Sequence, residues 1–136
     1  MDLKIHLTFT PTSDGQWSIA RLPKGTPSEL KKALNQELYC AFLPLRRKCG
    51  LILAPREEWQ QWRKQLPPMP EKLFRMICEM QAFLLPQRGS LRLPTKLLVL
   101  GQIHDHGILV LRNGAMMLVH DPEYLCEEEE VNNRNS

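Results

Sequence analysis

Apolar residues occupy alternate positions at Leu3, Ile5, Leu7 and Phe9, which predicts a strand over LKIHLTFT, residues 3–10. PTSDG (11–15) collects residues that favour tight local geometry and reads as a turn. QWSIA (16–20) resumes the alternation with Trp17 and Ile19 on one face, so the first two strands are expected to form a hairpin. The period then lengthens. Leu30, Leu34 and Leu38 recur at helical spacing behind Pro27, predicting a helix over 28–38 with Ser28 as its N-cap. Tyr39–Leu43 and Leu51–Leu53 return to strand, joined by a turn at LRRKCG (45–50). Pro55 suits a first helical turn, and Glu57 and Glu58 suit the positive end of the helix dipole. The helix so begun, 55–65, turns Trp59 and Trp62 inward and stops at LPPMP (66–70), where the prolines forbid continuation. A helix over 71–81 follows, with Leu73, Phe74, Ile77 and Met80 along one stripe.

The pattern then starts again. AFLLPQRGSLRLP (82–94) reads as strand, glycine turn and strand, and TKLLVLGQ (95–102) as a helical turn ending at Gly101. HGILVLR (106–112) and AMMLVH (115–120) form a strand pair about Asn113-Gly114, a strong hairpin turn, and Asp121 heads a helix at Pro122. GQWSIA (15–20) aligns with GSLRLP (89–94), putting Trp17 over Leu91 and Ile19 over Leu93. Gly50 to Trp59 aligns with Gly114 to Tyr124 when the second copy carries one inserted residue. A two-hairpin unit cannot cover its own apolar face, so the copies are expected to share one core. The division is a first half-unit at 1–65, a helical linker at 66–81, a second half-unit at 82–126 and a tail at 127–136.

This organisation resembles the MraZ family of AbrB-like swapped-hairpin proteins from about residue 5 to 125. CGLILAPREEW is similar to that family's turn–strand–Pro–x–x–Glu–Trp signature, and GSLRLP to its Gly–Arg–Leu–x–Ile–Pro motif. VLGQIHDHGILVLRNGAMMLVHDPEYL resembles its second strand pair and Asp-headed helix. The resemblance implies an α+β fold of two tandem swapped-hairpin half-units forming one pseudo-twofold β-core with flanking helices. It implies a transcriptional regulator that binds repeated promoter boxes on double-stranded DNA of the division and cell-wall cluster, as a ring-forming homo-oligomer at the nucleoid.

In that family each half carries Asp–x–x–Gly–Arg, whose arginine reaches DNA. Here the Asp positions fall on Thr12 and Pro86 and the Arg positions on Gln16 and Ser90, while the glycines remain as Gly15 and Gly89. An arginine fork supplies bidentate bonds worth about 1–3 kcal/mol of base discrimination, which Gln16 and Ser90 cannot replace in charge. Asp14, next to the first glycine, would repel phosphate. Arg21, Lys24, Arg88, Arg92 and Lys96 lie close enough in sequence to substitute, and each is otherwise an ordinary surface base. The denser Arg46–Lys48 cluster lies in the other turn and suits solubility or oligomer contacts. The alternative is therefore a degenerate relative that assembles without reading DNA.

The remaining chemistry narrows the field. No apolar run approaches the roughly 18 residues of a membrane span, and MDLKIHLTFT alternates, unlike a signal peptide, so a cytoplasmic protein is expected. Cys40, Cys49, Cys78 and Cys126 are widely spaced without a CxxC, the pattern of free thiols. His104 and His106 alternate as strand residues on one face would, leaving two-ligand metal binding open beside a plain polar loop; no third ligand lies nearby, and no metal or other cofactor is expected. Phosphate-loop and nucleophile-elbow motifs are absent, so neither an enzyme nor a small-molecule substrate is expected. EEEEVNNRNS at the C-terminus has no apolar pattern and reads as a disordered acidic tail. Residues 1–126 hold 17 bases against 11 acids, a net +6 that is compatible with a nucleic-acid partner.

Overall fold

The alternating segments pair into two antiparallel sheets, and the helical-period segments cover them. The computed structural model describes residues 3–44, 49–64, 68–112 and 115–120. Within these the elements are β1 (Leu3–Thr8), β2 (Thr10–Pro11), β3 (Trp17–Arg21), α1 (Ser28–Leu34), β4 (Leu38–Pro44), β5 (Cys49–Ala54) and α2 (Arg56–Lys64). Then follow α3 (Glu71–Glu79), β6 (Ala82–Leu84), β7 (Ser90–Pro94), α4 (Thr95–Leu100), β8 (His106–Arg112) and β9 (Ala115–Val119). The fold is thus mixed α+β. The turn at 45–48 with its basic cluster, the Asn113–Gly114 turn, the Asp121-headed helix and the acidic tail lie outside the described residues, as does the side chain of Trp62.

Six strands form the larger sheet in the order β1-β8-β9-β5-β4-β6, and three form the smaller one, β2-β3-β7. The hairpins β4–β5 and β8–β9 form as the alternation predicts. The expected first hairpin does not. Leu3–Thr8 pairs with β8, Leu3 opposite Leu111, and only Thr10 and Pro11 pair with β3. Phe9 is the pivot: its side chain is buried, its N–H donates to Asp105 O at 2.8 Å, and the chain changes sheet behind it. The segment 82–94 divides in the same way, β6 joining β4 while β7 joins β3.

The predicted helix over 28–38 ends four residues early. Asn35 N–H closes it onto Lys31 O and Lys32 O, and Leu38 opens β4 opposite Leu84. Ser28 makes no side-chain cap; Pro27 occupies that position and its carbonyl accepts Lys31 N–H at 3.1 Å. Pro55 likewise precedes α2, accepting Trp59 N–H at 2.8 Å. No helix among the described residues is long and apolar enough to cross a membrane.

One main core joins both sheets to α1 and α4. Leu7, Leu30, Leu51, Leu53, Leu93, Leu97, Leu109 and Leu118 are all essentially solvent-free within it. Each such side chain contributes roughly 1.5–3 kcal/mol by leaving water, and they come from early and late in the chain alike. On the other face of the large sheet, Trp59 of α2 covers Ala41, Ile52 and Ala54, stacked 6.2 Å from Tyr39.

Candidate nucleic-acid interface

The small sheet carries every residue that the sequence offers for DNA, either on its strands or at its ends. β3 and β7 run antiparallel with Ile19 opposite Arg92 and Arg21 opposite Ser90. At one end Leu22 N–H donates to Gly89 O at 3.0 Å, and at the other Thr95 N–H donates to Gln16 O at 2.9 Å. Each glycine corner is therefore bonded to the strand end of the opposite half. Gly15 and Gly89 both have φ 72°, and a Cβ at either would meet nothing within 4 Å. The glycine is required there by backbone conformation, not by space.

The burial phase of β3 is the reverse of the expected one. Ser18 and Ala20 face the core, whereas Ile19 is exposed and Trp17 half-buried. In β7 the inward residues are Leu91 and Leu93, as expected. The alignment of Trp17 with Leu91 and Ile19 with Leu93 is thus out of phase by one; Ser18 and Ala20 occupy the equivalent inward places. Ser18 has a local reason for its inward place: its Oγ lies 2.9 Å from Thr95 Oγ1, tying β3 to the start of α4. Trp17 is accordingly not a simple core anchor. The Arg92 guanidinium carbon sits 4.7 Å from its ring centroid, a cation–π contact worth about 0.5–1 kcal/mol at an exposed site. Stacking engages the flat face of the guanidinium, whose N–H donors lie in its plane.

Asp14 also has a local role. Thr12 Oγ1 donates to its carboxylate at 2.5 Å and Gln16 N–H at 3.0 Å. The Thr12 hydroxyl first, then the Gln16 amide and, more weakly, the Arg92 charge hold the Asp14 carboxyl below its ordinary range. Gly15 N–H donates to Thr12 O at 2.9 Å and Thr12 N–H to Trp17 O at 2.8 Å, completing the turn. The acid thus braces the corner from beside the glycine.

Two clefts flank the ladder. At the Gly89 end a cleft of about 620 Å³ is lined by Lys24, Lys31, Asn35, Gln87 and Arg88 over the buried Leu34. At the Gly15 end a cleft of about 480 Å³ is lined by Gln16, Trp17, Met80, Thr95, Lys96 and Val99. The structure therefore brings Lys24 to Arg88 and Gln16 to Lys96, and sets Arg21 beside Ser90 on the ladder. Lys31 is the member that sequence reasoning missed. It stands one turn before buried Leu34 on α1, so it borders that helix's inward stripe, and this placement was the available signal.

The histidines do not form the strand pair considered for a metal. His104 lies in the loop before β8, at φ 51°, with its ring edge-on to His120 at 6.4 Å. His106 begins β8 and stacks on His6 at 5.8 Å. Among the described residues no three His, Cys, Asp or Glu side chains converge as metal ligands would. Cys40 is a fully buried free thiol, pushed up to about 12 by burial. No family model matches the chain, and no curated protein matches it.

Proposed function

We propose that this chain is a DNA-binding transcriptional regulator of the MraZ-like kind, built from two swapped-hairpin half-units. It acts in the cytoplasm at the nucleoid and assembles as a homo-oligomer on repeated promoter boxes. The observation that carries the reading is the β3–β7 ladder. One strand comes from each half, a glycine corner at φ 72° sits at each end, and Arg21, Lys24, Arg88, Arg92 and Lys96 are all exposed around it. Supporting the paired half-units is the strand order itself: β1 of the first half completes the hairpin β8–β9, and β6 of the second completes β4–β5. The bonds from Leu22 to Gly89 and from Thr95 to Gln16 are related by the same exchange of halves.

Each subunit offers few strong contacts, so the mechanism is avidity: linked copies convert later binding events into local ones, which amplifies weak contacts without new chemistry. The test is a fluorescence-anisotropy titration at low salt with the DNA upstream of the chain's own gene, alongside light scattering for assembly. Tighter binding than to a random duplex, with a mass above one subunit, is expected. Equal binding to both duplexes removes the specific-regulator reading.

A second reading is a degenerate relative that assembles without reading DNA. Its motive is that Gln16 and Ser90 bring no charge to the corners, while Phe83, Leu85 and Val99 are 48, 61 and 63% exposed and offer apolar contact surface. Restoring arginine with Gln16→Arg and Ser90→Arg discriminates: a gain in DNA affinity favours this reading, and no gain removes its premise.

A further inference from the structure

We propose that the two ends of the ladder are not equivalent in use: the cleft at the Gly89 end takes a backbone phosphate of DNA, with Lys31 as its third cation, and the cleft at the Gly15 end takes none. The inference rests on the DNA-binding reading and adds to it a polarity and a residue.

At the Gly89 end, Lys24 and Lys31 come from the first half of the chain and Arg88 from the second. Asn35 and Gln87 add neutral donors, and among the described residues no carboxylate lines the cleft. None of the three cations has an ion-pair partner among the described residues, so their charge is uncompensated locally. Three cations around one concavity, with amide donors and no acid, match a tetrahedral dianion or a diester phosphate in charge and hydrogen bonding. The space, about 620 Å³, admits such a group with its sugar neighbours.

The opposite cleft has the same place relative to its glycine corner and different chemistry. Among the described residues Lys96 is its one charged lining residue, and Trp17, Met80 and Val99 make its walls apolar. The Asp14 carboxylate stands on the adjoining turn and remains ionised at neutral pH, because its neighbours stabilise the charged form. An incoming phosphate there meets one cation and one fixed anion. Near-equal opposing charges give little net attraction, whereas three cations at the other corner attract strongly.

The experiment measures the affinity of the full chain for a short mixed-sequence duplex by anisotropy, from about 50 to about 200 mM salt, for wild type, Lys31→Gln and Lys96→Gln. Gln preserves helix propensity at both sites, and circular dichroism confirms the fold. Lys31→Gln should weaken binding about eight-fold near 0.1 M salt and flatten the slope of log affinity against log salt by about 0.9, the release of one counterion. Lys96→Gln should leave affinity within about two-fold and the slope unchanged. Wild-type binding with an unaltered slope in Lys31→Gln, or an equal loss in Lys96→Gln, overturns the polarity while the DNA-binding reading stands. No wild-type binding at the lowest salt sinks that reading and the polarity with it.

Discussion

Gly50 lies in β5 where the first hairpin meets the second, and its replacement by alanine tests that seam. An ideal Cβ there would stand 2.8 Å from Leu118 O and 3.0 Å from Val119 Cγ1. The nearer obstacle is backbone of β9, in the middle of the six-stranded sheet, and cannot rotate aside. Relief requires the β5–β9 ladder, with Leu51 opposite Leu118, to open by about half an ångström. Overpacking of this kind costs about 1–3 kcal/mol. Restricting the unfolded chain returns about 0.4–1 kcal/mol, leaving a net loss of about 1–2 kcal/mol. Urea unfolding should show a lower midpoint with an unchanged slope, and the melting temperature should fall by about 3–8 °C. Gly89 supplies the contrast, because its constraint is conformational. Gly89→Ala should lose about 1–2 kcal/mol, and Gly89→Asn less, since asparagine tolerates the left-handed region. At position 50 the ranking must invert, asparagine being larger than alanine. The same ranking at both positions, or a Gly50→Ala protein as stable as wild type, refutes the close approach.

Leu51→Ala removes a solvent-free side chain from the main core and should cost about 2–5 kcal/mol in the same unfolding assay. Asp14→Asn alters the acid limb of stability. The Asp14 carboxyl is held below its ordinary 3.8 in the folded chain, so its stabilisation is complete above that pH and lost as pH falls. The variant should therefore be less stable than wild type near neutrality and converge with it in acid, as read by denaturant midpoints across pH. For Cys40 the sign is opposite: raised from 9.0 to about 12 by burial, the thiol favours the folded state fully below pH 9 and progressively less toward pH 12. With Cys49, Cys78 and Cys126 replaced by serine, a thiol reagent at neutral pH should modify Cys40 no faster than the protein opens, measured by mass spectrometry.

Local pattern carried the contiguous hairpins and failed where the chain changes partners. HGILVLR and CGLILA are short apolar runs beside their own return strands, so pattern and pairing agree. LKIHLTFT has equally clear alternation, yet its partner β8 is a hundred residues away in sequence, and nothing in eight residues encodes that choice. The main core draws side chains from early and late in the chain, a long-range pairing that no single segment encodes. Leu38 shows a second kind of failure: it continues the helical period of Leu30 and Leu34 while serving as the first residue of β4. Ser18 and Ala20 show a third. Hydropathy assigns the inward face of β3 to Trp17 and Ile19, but Ser18 and Ala20 hold it, Ser18 through a hydroxyl contact with Thr95 that hydropathy does not register. Among candidate site residues, the sequence supplied the corners and five of the cations, and tertiary placement alone brought Lys31 to Lys24 and Arg88.

The pairing of β1 with the distant β8 has a consequence for synthesis. Leu3 leaves the ribosome first, but its ladder partner Leu111 follows 108 residues later, an interval of roughly 5–20 s at ordinary translation speed. Through that wait β1 is an unpaired, half-apolar edge able to find the β8 of a neighbouring nascent chain. Slow codons or a chaperone acting between residues 10 and 105 would therefore govern how many molecules close on themselves and how many emerge intertwined.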